Sequence, residues 1–373
     1  MNIRNSHNFP RGWRKVKLRE WLEFKYGFGL SERERIKGDV PVYGSSGIVG
    51  WHNKPVVEGK GIIIGRKGNV GAIYFSNSSF YPIDTVYFVD SLKKEGDLKF
   101  FYYLLKTINF QKVDINVGVP GLNRDTAHSL EVFIPQDLNE QRRIAEILSA
   151  FDDKIELNNK INKTLEEMAQ GIFREWFVKF RFPGWEKVKF VDSELGKIPE
   201  GWKIVSIVEI IKRLPVNKRY DQKSAFSKGK VPILDQGKSG IIGYHNDEPS
   251  IKASPQEPVA IFANHTCYYR LVTFDFSCIQ NVIPYVGING YPTVFVYYLT
   301  KGKIKMSDYK GHWPEFVAQK FIVPPSALAM KFNQIIQPFI ENIHKNEIEN
   351  QRLSALRDLL LPKLMNGKIR MKA

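Results

Sequence analysis

The sequence predicts an α+β protein written twice. Two tandem α+β domains are separated by two long helices that form an antiparallel coiled coil, with pseudo-twofold symmetry. Three observations carry this. Short words recur in order about 190 residues apart: "PRGW" (Pro10–Trp13) and "PEGW" (Pro199–Trp202), "GIVGWHN" (Gly47–Asn53) and "GIIGYHN" (Gly240–Asn246), "EVFIP" ending at Pro135 and "KFIVP" ending at Pro324. Self-similarity at a long period means a duplicated unit. Within each copy, short β-branched and aromatic runs alternate with Gly, Pro and Asn, which is strand-and-turn patterning. Each copy then ends in a long segment with heptad periodicity. The boundaries follow: a first domain over 1–138, a helix over 139–180, a second domain over 181–325 and a helix over 326–366.

Each element has its own warrant. Trp13 and Trp202 open the copies as packing residues. "VPVYGSSGIVGWHN" from Val40 is two apolar runs about a Gly-Ser turn, a hairpin signal, and "VPILDQGKSGIIGYHN" from Val231 is its counterpart with two extra residues. "GIIIG" (Gly61–Gly65), "GAIYF" (Gly71–Phe75) and "DTVYFV" (Asp84–Val89) read as strands, matched by "PVAIF" (Pro258–Phe262), "YRLVTF" (Tyr269–Phe274) and "NVIPYV" (Asn281–Val286). "DLKFFYYLLKTI" (Asp97–Ile108) reads as a helix with Asp97 as N-cap, and "YPTVFVYYLTKG" (Tyr291–Gly302) is its weaker counterpart. In the first long segment Ile144, Leu148, Phe151 and Ile155 lead through Asn158 and Asn162 to Trp176 at alternating steps of four and three. In the second, Phe332, Ile336, Phe339 and Ile343 lead through Asn346 and Asn350, at a constant offset of 188 residues (Ile144 to Phe332). Polar seam residues cost stability and fix register, so Asn158, Asn162, Asn346 and Asn350 are the register candidates. About 39 residues at ~1.5 Å rise give a spacer rod of roughly 58 Å. Glu140, Arg142 and Arg143 fall on the outer face and are expected to be solvated. The apolar, basic stretch "GIFREWFVKFRF" (Gly171–Phe182) fits a domain anchor, a partner dock or a membrane contact. The anchor is favoured because "FPGW" follows at once.

Composition narrows the partners. The 373 residues carry 55 Lys+Arg against 39 Asp+Glu, a formal net charge of +16. Such an excess attracts polyanions, of which nucleic acid is the first choice and an anionic membrane surface the competitor. No apolar run is long enough to span a bilayer and no signal-peptide pattern opens the chain, so a cytoplasmic location is expected. Cys267 and Cys278 suit strand or core positions rather than a metal site, and no metal or cofactor is expected.

At this point the residues resemble a known family. "IIGRKGNVG" (Ile63–Gly71), "YPIDTVYFV" and above all "NEQRRIAEILSAFDDKIE" (Asn139–Glu156) are similar to the specificity subunit of type I restriction–modification enzymes. "PEGWK" and "KFIVPP" repeat the likeness in the second half. There "AMKFNQIIQPFIENI" is a looser version of the helix start and lacks the pair at Glu140 and Gln141. The resemblance implies a non-catalytic subunit. Its two target-recognition domains would read the halves of a split DNA sequence, held apart by the coiled coil. It implies double-stranded DNA, two methyltransferase subunits and the restriction/translocase subunits as partners, and no membrane.

Base reading calls for Arg, Lys, Asn, Gln and polar turns that reach groove edges, while phosphate contacts supply position. The hairpin turns offer Ser45 and Ser46, and Gln236, Lys238 and Ser239; a ligand-free surface hairpin is the other possibility. His52 with Asn53, and His245 with Asn246, either donate to DNA or stabilise the turn. Arg66 and Lys67 sit between glycines, with Asn264 and His265 at the equivalent place. Asn123 and Arg124 end the loop "NVGVPGLNRD", and His312 lies in its counterpart "KGHWP". Lys218 and Arg219 form a basic loop, or merely a solvated one. An alternative class is a DNA endonuclease with its own metal-dependent site at Asp39, Glu58 and Lys60; a third is a structural coiled-coil adaptor that binds no DNA.

Overall fold

The computed structural model describes residues 10–113, 121–237, 240–307 and 310–371. It divides into two compact units: unit 1 is residues 1–156 with 350–373, and unit 2 is residues 157–349. The first copy runs β1 (Trp13–Lys17), β2 (Lys25–Tyr26), β3 (Val40–Gly44), β4 (Gly47–His52), β5 (Gly61–Gly65), β6 (Ile73–Ser76), β7 (Tyr81–Pro82), β8 (Val86–Val89), α1 (Leu98–Lys106), α2 (Arg124–Ser129), β9 (Glu131–Pro135) and α3 (Leu138–Phe173). A short hairpin, β10 (Phe190–Ser193) and β11 (Gly196–Pro199), precedes the second copy. That copy runs β12 (Lys203–Ser206), β13 (Ile211–Arg213), β14 (Val231–Leu234), β15 (Ile241–His245), β16 (Val259–Ala263), β17 (Tyr269–Val272), β18 (Ser277–Cys278), β19 (Val282–Gly287), α4 (Thr293–Thr300), α5 (Trp313–Val317), β20 (Lys320–Val323) and α6 (Ser326–Met365).

The repeat in the words is a repeat in topology. Unit 1 has a β1-β9 pair, a β2-β8-β5-β6 sheet and a β4-β3-β7 sheet; unit 2 has β12-β20, β13-β19-β16-β17 and β15-β14-β18 in the same order. Even the irregularity is copied. The hairpin register slips between Val42 and Tyr43 in one copy and between Ile233 and Leu234 in the other. The glycine shared by "GIVGWHN" and "GIIGYHN" lies at this slip, where Val42 faces Gly50 and Ile233 faces Gly243. A Cβ on Gly50 would stand 2.6 Å from Arg35 Nη1, and one on Gly243 2.7 Å from the Phe226 carbonyl oxygen. Both glycines admit a neighbouring segment at a distance no side chain would allow.

Aromatics fill both cores. In unit 1, Trp13, Trp21, Phe24, Phe100 and Phe101 pack with Ile144 and Leu148 of α3 and Leu364 of α6. Asp97 caps α1, its Oδ1 accepting from Phe100 N at 2.7 Å. In unit 2, Trp202, Phe295 and Phe316 pack with Phe173 of α3 and Phe332 and Ile336 of α6. The "GIFREWFVKFRF" stretch puts Phe173, Phe177 and Phe182 into that core, so it anchors the second domain.

Within each unit the two long helices run antiparallel. In unit 1, Arg357 Nη1 meets Asp152 Oδ1 at 2.5 Å, and Arg370, just beyond α6, meets Glu140 at 2.7 Å. In unit 2, Asn158 Nδ2 donates to Glu349 at 2.7 Å, Asn346 Nδ2 donates to Asn162 Oδ1 at 2.8 Å, and the Phe173 and Phe332 rings lie 5.7 Å apart. Rising numbers on α3 thus meet falling numbers on α6. Glu140 corrects the expectation of a solvated outer face. It is 4 % exposed, accepts from Trp13 Nε1 at 3.3 Å and is paired with Arg370. Its neighbour Gln141 is buried too, donating to the Pro135 carbonyl at 3.0 Å and accepting from Asp97 N at 3.1 Å. The Glu-Gln pair pins the start of α3 to β9, to α1 and to the C-terminal tail. Among the described residues no helix is long and apolar enough to cross a membrane.

Candidate nucleic-acid interface

In each unit three segments far apart in sequence meet: the β-hairpin turn, the loop after the central strand β5 or β16, and the approach to the short helix α2 or α5. Matching backbone hydrogen bonds hold them. Arg66 N donates to the Thr85 carbonyl at 2.9 Å and Leu122 N to the Arg66 carbonyl at 2.9 Å; Asn264 N donates to the Asn281 carbonyl at 2.8 Å and His312 N to the Asn264 carbonyl at 2.8 Å. The turn closes on the loop in both. Asn69 N donates to Ser45 Oγ at 3.4 Å, and His265 N to Gln236 Oε1 at 2.9 Å. The structure therefore gathers Ser45, Arg66, Asn123 and Arg124 in unit 1, and Gln236, Asn264, His265 and His312 in unit 2.

The side chains on this common frame differ. In unit 1 the guanidinium carbons of Arg66 and Arg124 each lie 5.1 Å from the centre of the Tyr26 ring, and that ring is 47 % exposed. Each cation–π contact contributes about 0.5–1 kcal/mol at such a site. Arg66 also covers Tyr87 at 5.8 Å and donates from Nη2 to the Asp84 carbonyl at 3.1 Å. Its Nε is buried without a partner among the described residues. Burial, and after it the neighbouring Tyr26, pushes the Tyr87 hydroxyl up to about 12. Asn123 caps α2, its Oδ1 accepting from Asp125 N at 2.9 Å and Thr126 N at 3.0 Å.

In unit 2 the equivalent of Arg66 is Asn264, whose Oδ1 accepts from Trp313 N at 2.7 Å. The Trp313 ring stacks on Phe316 at 4.9 Å. Beside the Gln236 turn lies an open cleft of about 740 Å³ lined by Arg219, Gln222, Gln236, Thr266, Gln280 and Asn281. Arg219 is fixed at this edge by a 3.0 Å bond from Nη1 to the Ile279 carbonyl. Lys218 pairs instead with Asp247 at 2.5 Å.

The histidines of the repeated words serve the fold. His52 is buried and accepts from Ile36 N through Nδ1 at 3.0 Å. His245 is buried and stacked on Tyr220 at 4.1 Å, with Nε2 lying 2.8 Å from Ser277 Oγ. Burial holds its pKa below the usual imidazole value, against the pull of Asp247. His312 is fully buried, with Nδ1 lying 3.0 Å from Glu315. Asn246 Oδ1 accepts from Lys230 N at 3.2 Å, while Asn53, Ser46 and Lys67 are exposed. Lys238 and Ser239 lie outside the described residues. Sequence reasoning missed Tyr26 and Gln280. Tyr26 sits in a two-residue strand too short to show a pattern, and only its two stacked arginines reveal it. Of the acidic triplet, Asp39 and Lys60 are exposed and Glu58 accepts from Ser79 Oγ at 2.8 Å.

Two such edges and an antiparallel helix pair in each unit make a duplicated α+β architecture, and comparison with known proteins shows what it is similar to. Residues 10–167 match the family described as type I restriction modification DNA specificity domain. The specificity subunit of type I restriction enzyme MjaIX from Methanocaldococcus jannaschii is 27% identical over 314 residues, covering 76% of this chain and 72% of that one. The HindI specificity subunit from Haemophilus influenzae is 25% identical over 331 residues, covering 67% of this chain and 71% of that one. The crystal structure of the type I restriction–modification S subunit from M. genitalium shares the fold, with a TM-score of 0.61 at 19% identity over 98% of both chains. Over these spans the chain is similar to the specificity subunits of type I restriction–modification systems. Neither the family match nor these relatives support the endonuclease alternative.

Proposed function

We propose that this chain is the DNA-recognition subunit of a type I restriction–modification complex. It reads a split site, one half per unit, and directs methyltransferase and restriction/translocase subunits to it. The observation that carries this is the pair of recognition edges. The same turn, loop and helix approach are held by the same backbone bonds, yet Arg66 and Arg124 on Tyr26 stand in one where Asn264 and Trp313 stand in the other. Duplication preserves a frame because the frame is needed; divergence of the groups it presents is what two different half-sites require. The charge of +16 supplies phosphate affinity with steep salt dependence. The helix pair is the spacer, and Asn162 with Asn346 fixes its register. The complex takes two methyltransferase subunits and works in the cytoplasm, not at a membrane.

Methylation mapping in cells carrying this chain and its methyltransferase partner tests the proposal. A split, asymmetric motif with a fixed gap is expected; a continuous motif, or none, overturns it. The purified chain with Mg²⁺ should leave duplex DNA intact. Cleavage that disappears in Glu58→Gln would restore the endonuclease alternative.

A further inference from the structure

We infer that Arg124 reads a guanine in the half-site bound by unit 1, with Tyr26 as its platform and Arg66 as the anchor of that platform. This rests on the proposed DNA-recognition function and adds the base and the reading residue. The three side chains have different freedom. Arg66 is tied down, stacked on Tyr26 and Tyr87 and bonded to the Asp84 carbonyl. Tyr26 is half exposed above it. Arg124 stacks on the same ring at 5.1 Å, yet its side chain keeps 41% of its exposure. Its ion-pair partner among the described residues is Asp125, at 4.0 Å from Nε and itself 90% exposed. That contact is too long to engage the guanidinium's donors.

A guanidinium held over an aromatic ring by a cation–π contact is restricted in position, and its fork of donors with it. That fork matches the adjacent O6 and N7 acceptors of guanine in the major groove, and matches no other base edge so well. A phosphate also accepts the fork bidentately, but it does so from a mobile side chain and needs no aromatic platform. A base contact needs the platform, which explains why an exposed tyrosine carries two arginines that repel each other. Unit 2 is built differently at the matching place, where the Arg213 guanidinium lies over the Trp313 ring at 5.9 Å. There Asn264 is bonded to Trp313 N, and the cleft presents Gln222 and Gln280, whose amides suit adenine.

The test uses the full chain with its methyltransferase partner. The motif of the wild-type protein is mapped first, and binding is then measured on duplexes carrying each base pair at every position of both half-sites. Arg124→Lys is expected to reduce discrimination at one G·C pair at least about fivefold and to leave the other half-site unchanged. In the wild type, 7-deazaguanine at that guanine should weaken binding to a similar degree, because it removes N7. Inosine there, which keeps O6 and N7, should not. Tyr26→Ala should imitate Arg124→Lys, and Tyr26→Phe should not.

Two results overturn the inference and leave the recognition role standing. One is a split motif whose unit 1 half has only A·T pairs. The other is an Arg124→Lys variant with unaltered base preference, paired with an Arg124→Gln variant that weakens all duplexes equally and lowers the salt slope by about one, the mark of a phosphate contact. Failure of the recognition role itself reads differently: the wild-type chain then yields no split motif.

Discussion

Arg66 and Asn264 occupy the same place on one backbone plan, and the consequences are chemical. Arg66 carries a charge and builds a platform, whereas Asn264 turns inward and closes its own loop onto Trp313 N. Residues that look equivalent in the repeated words diverge in the same way. His52 and His245 are both buried, but one accepts from a backbone amide and the other heads a network through Tyr220, Ser277 and Asp247. Burial lowers the pKa of His245, and likewise of His128 and His344. The unfolded chain, with ordinary imidazoles near 6.5, then binds protons before the folded one does. The stability these groups contribute is complete above that value and is lost as pH falls through their depressed folded values. Glu347 works in the opposite direction, since burial raises its pKa. With three histidines set against one glutamate, the melting temperature is expected to drop between pH 7 and pH 5.5 in a thermal unfolding series. A rise over that range would show that these imidazoles are not held neutral by the fold.

At the scale of elements, the hairpin and the helix pair show how little freedom the shared plan leaves. The edge of β15 is covered by the chain's own Ala225–Phe226 segment, with Phe226 N donating to the Tyr244 carbonyl at 2.8 Å and the Phe226 carbonyl accepting from Tyr244 N at 2.9 Å. In the first copy the Arg35 guanidinium does part of this work, donating to the Val49 carbonyl at 2.7 Å. A methyl at Gly243 meets backbone, whereas at Gly50 it meets the far end of a flexible side chain. Gly243→Ala is therefore expected to destabilise unit 2 by about 1–3 kcal/mol in denaturant unfolding, with Gly50→Ala costing less in unit 1. In the helix pair of unit 1, Asp152 is held by both Arg357 and Tyr103, the Tyr103 hydroxyl donating at 2.7 Å. Arg357→Ala strands a half-buried carboxylate and is expected to cost about 2–4 kcal/mol. Adding Asp152→Asn should recover part of that loss in a double-mutant cycle, and a purely additive cycle would show that the pair is not coupled.

For the whole molecule, periodicity and repetition made the fold legible, and three-dimensional convergence hid much of the site. The α+β class, the duplication and the two heptad helices follow from patterns local to the chain. The recognition edge does not, because Ser45, Arg66 and Leu122 meet only after the sheets have formed. Single-sequence reasoning could name Arg66 and Arg124 as basic loop residues, but not the Tyr26 ring beneath both. A heptad seam tells which face of a helix is inward and is silent on what covers the other face. Glu140 was lost to sight for that reason: its partner Arg370 lies 230 residues away, in the tail. The duplication nevertheless makes one demand on the molecule as a whole. If each unit reads its own half-site, damage to one edge must stay in one half of the motif. Arg219→Ala with Gln280→Ala removes two polar groups from the unit 2 cleft, together with the Arg219 bond to the Ile279 carbonyl, and leaves the core residues in place. Base preference should relax by about 1–3 kcal/mol per lost contact in one half of the mapped motif. The other half and the length of the gap should stay as in the wild type. Arg124→Lys should do the reverse, relaxing the half that the double variant spares. Should both variants blur the same half, the two edges serve a single half-site, and duplication of the frame would need a reason other than split recognition.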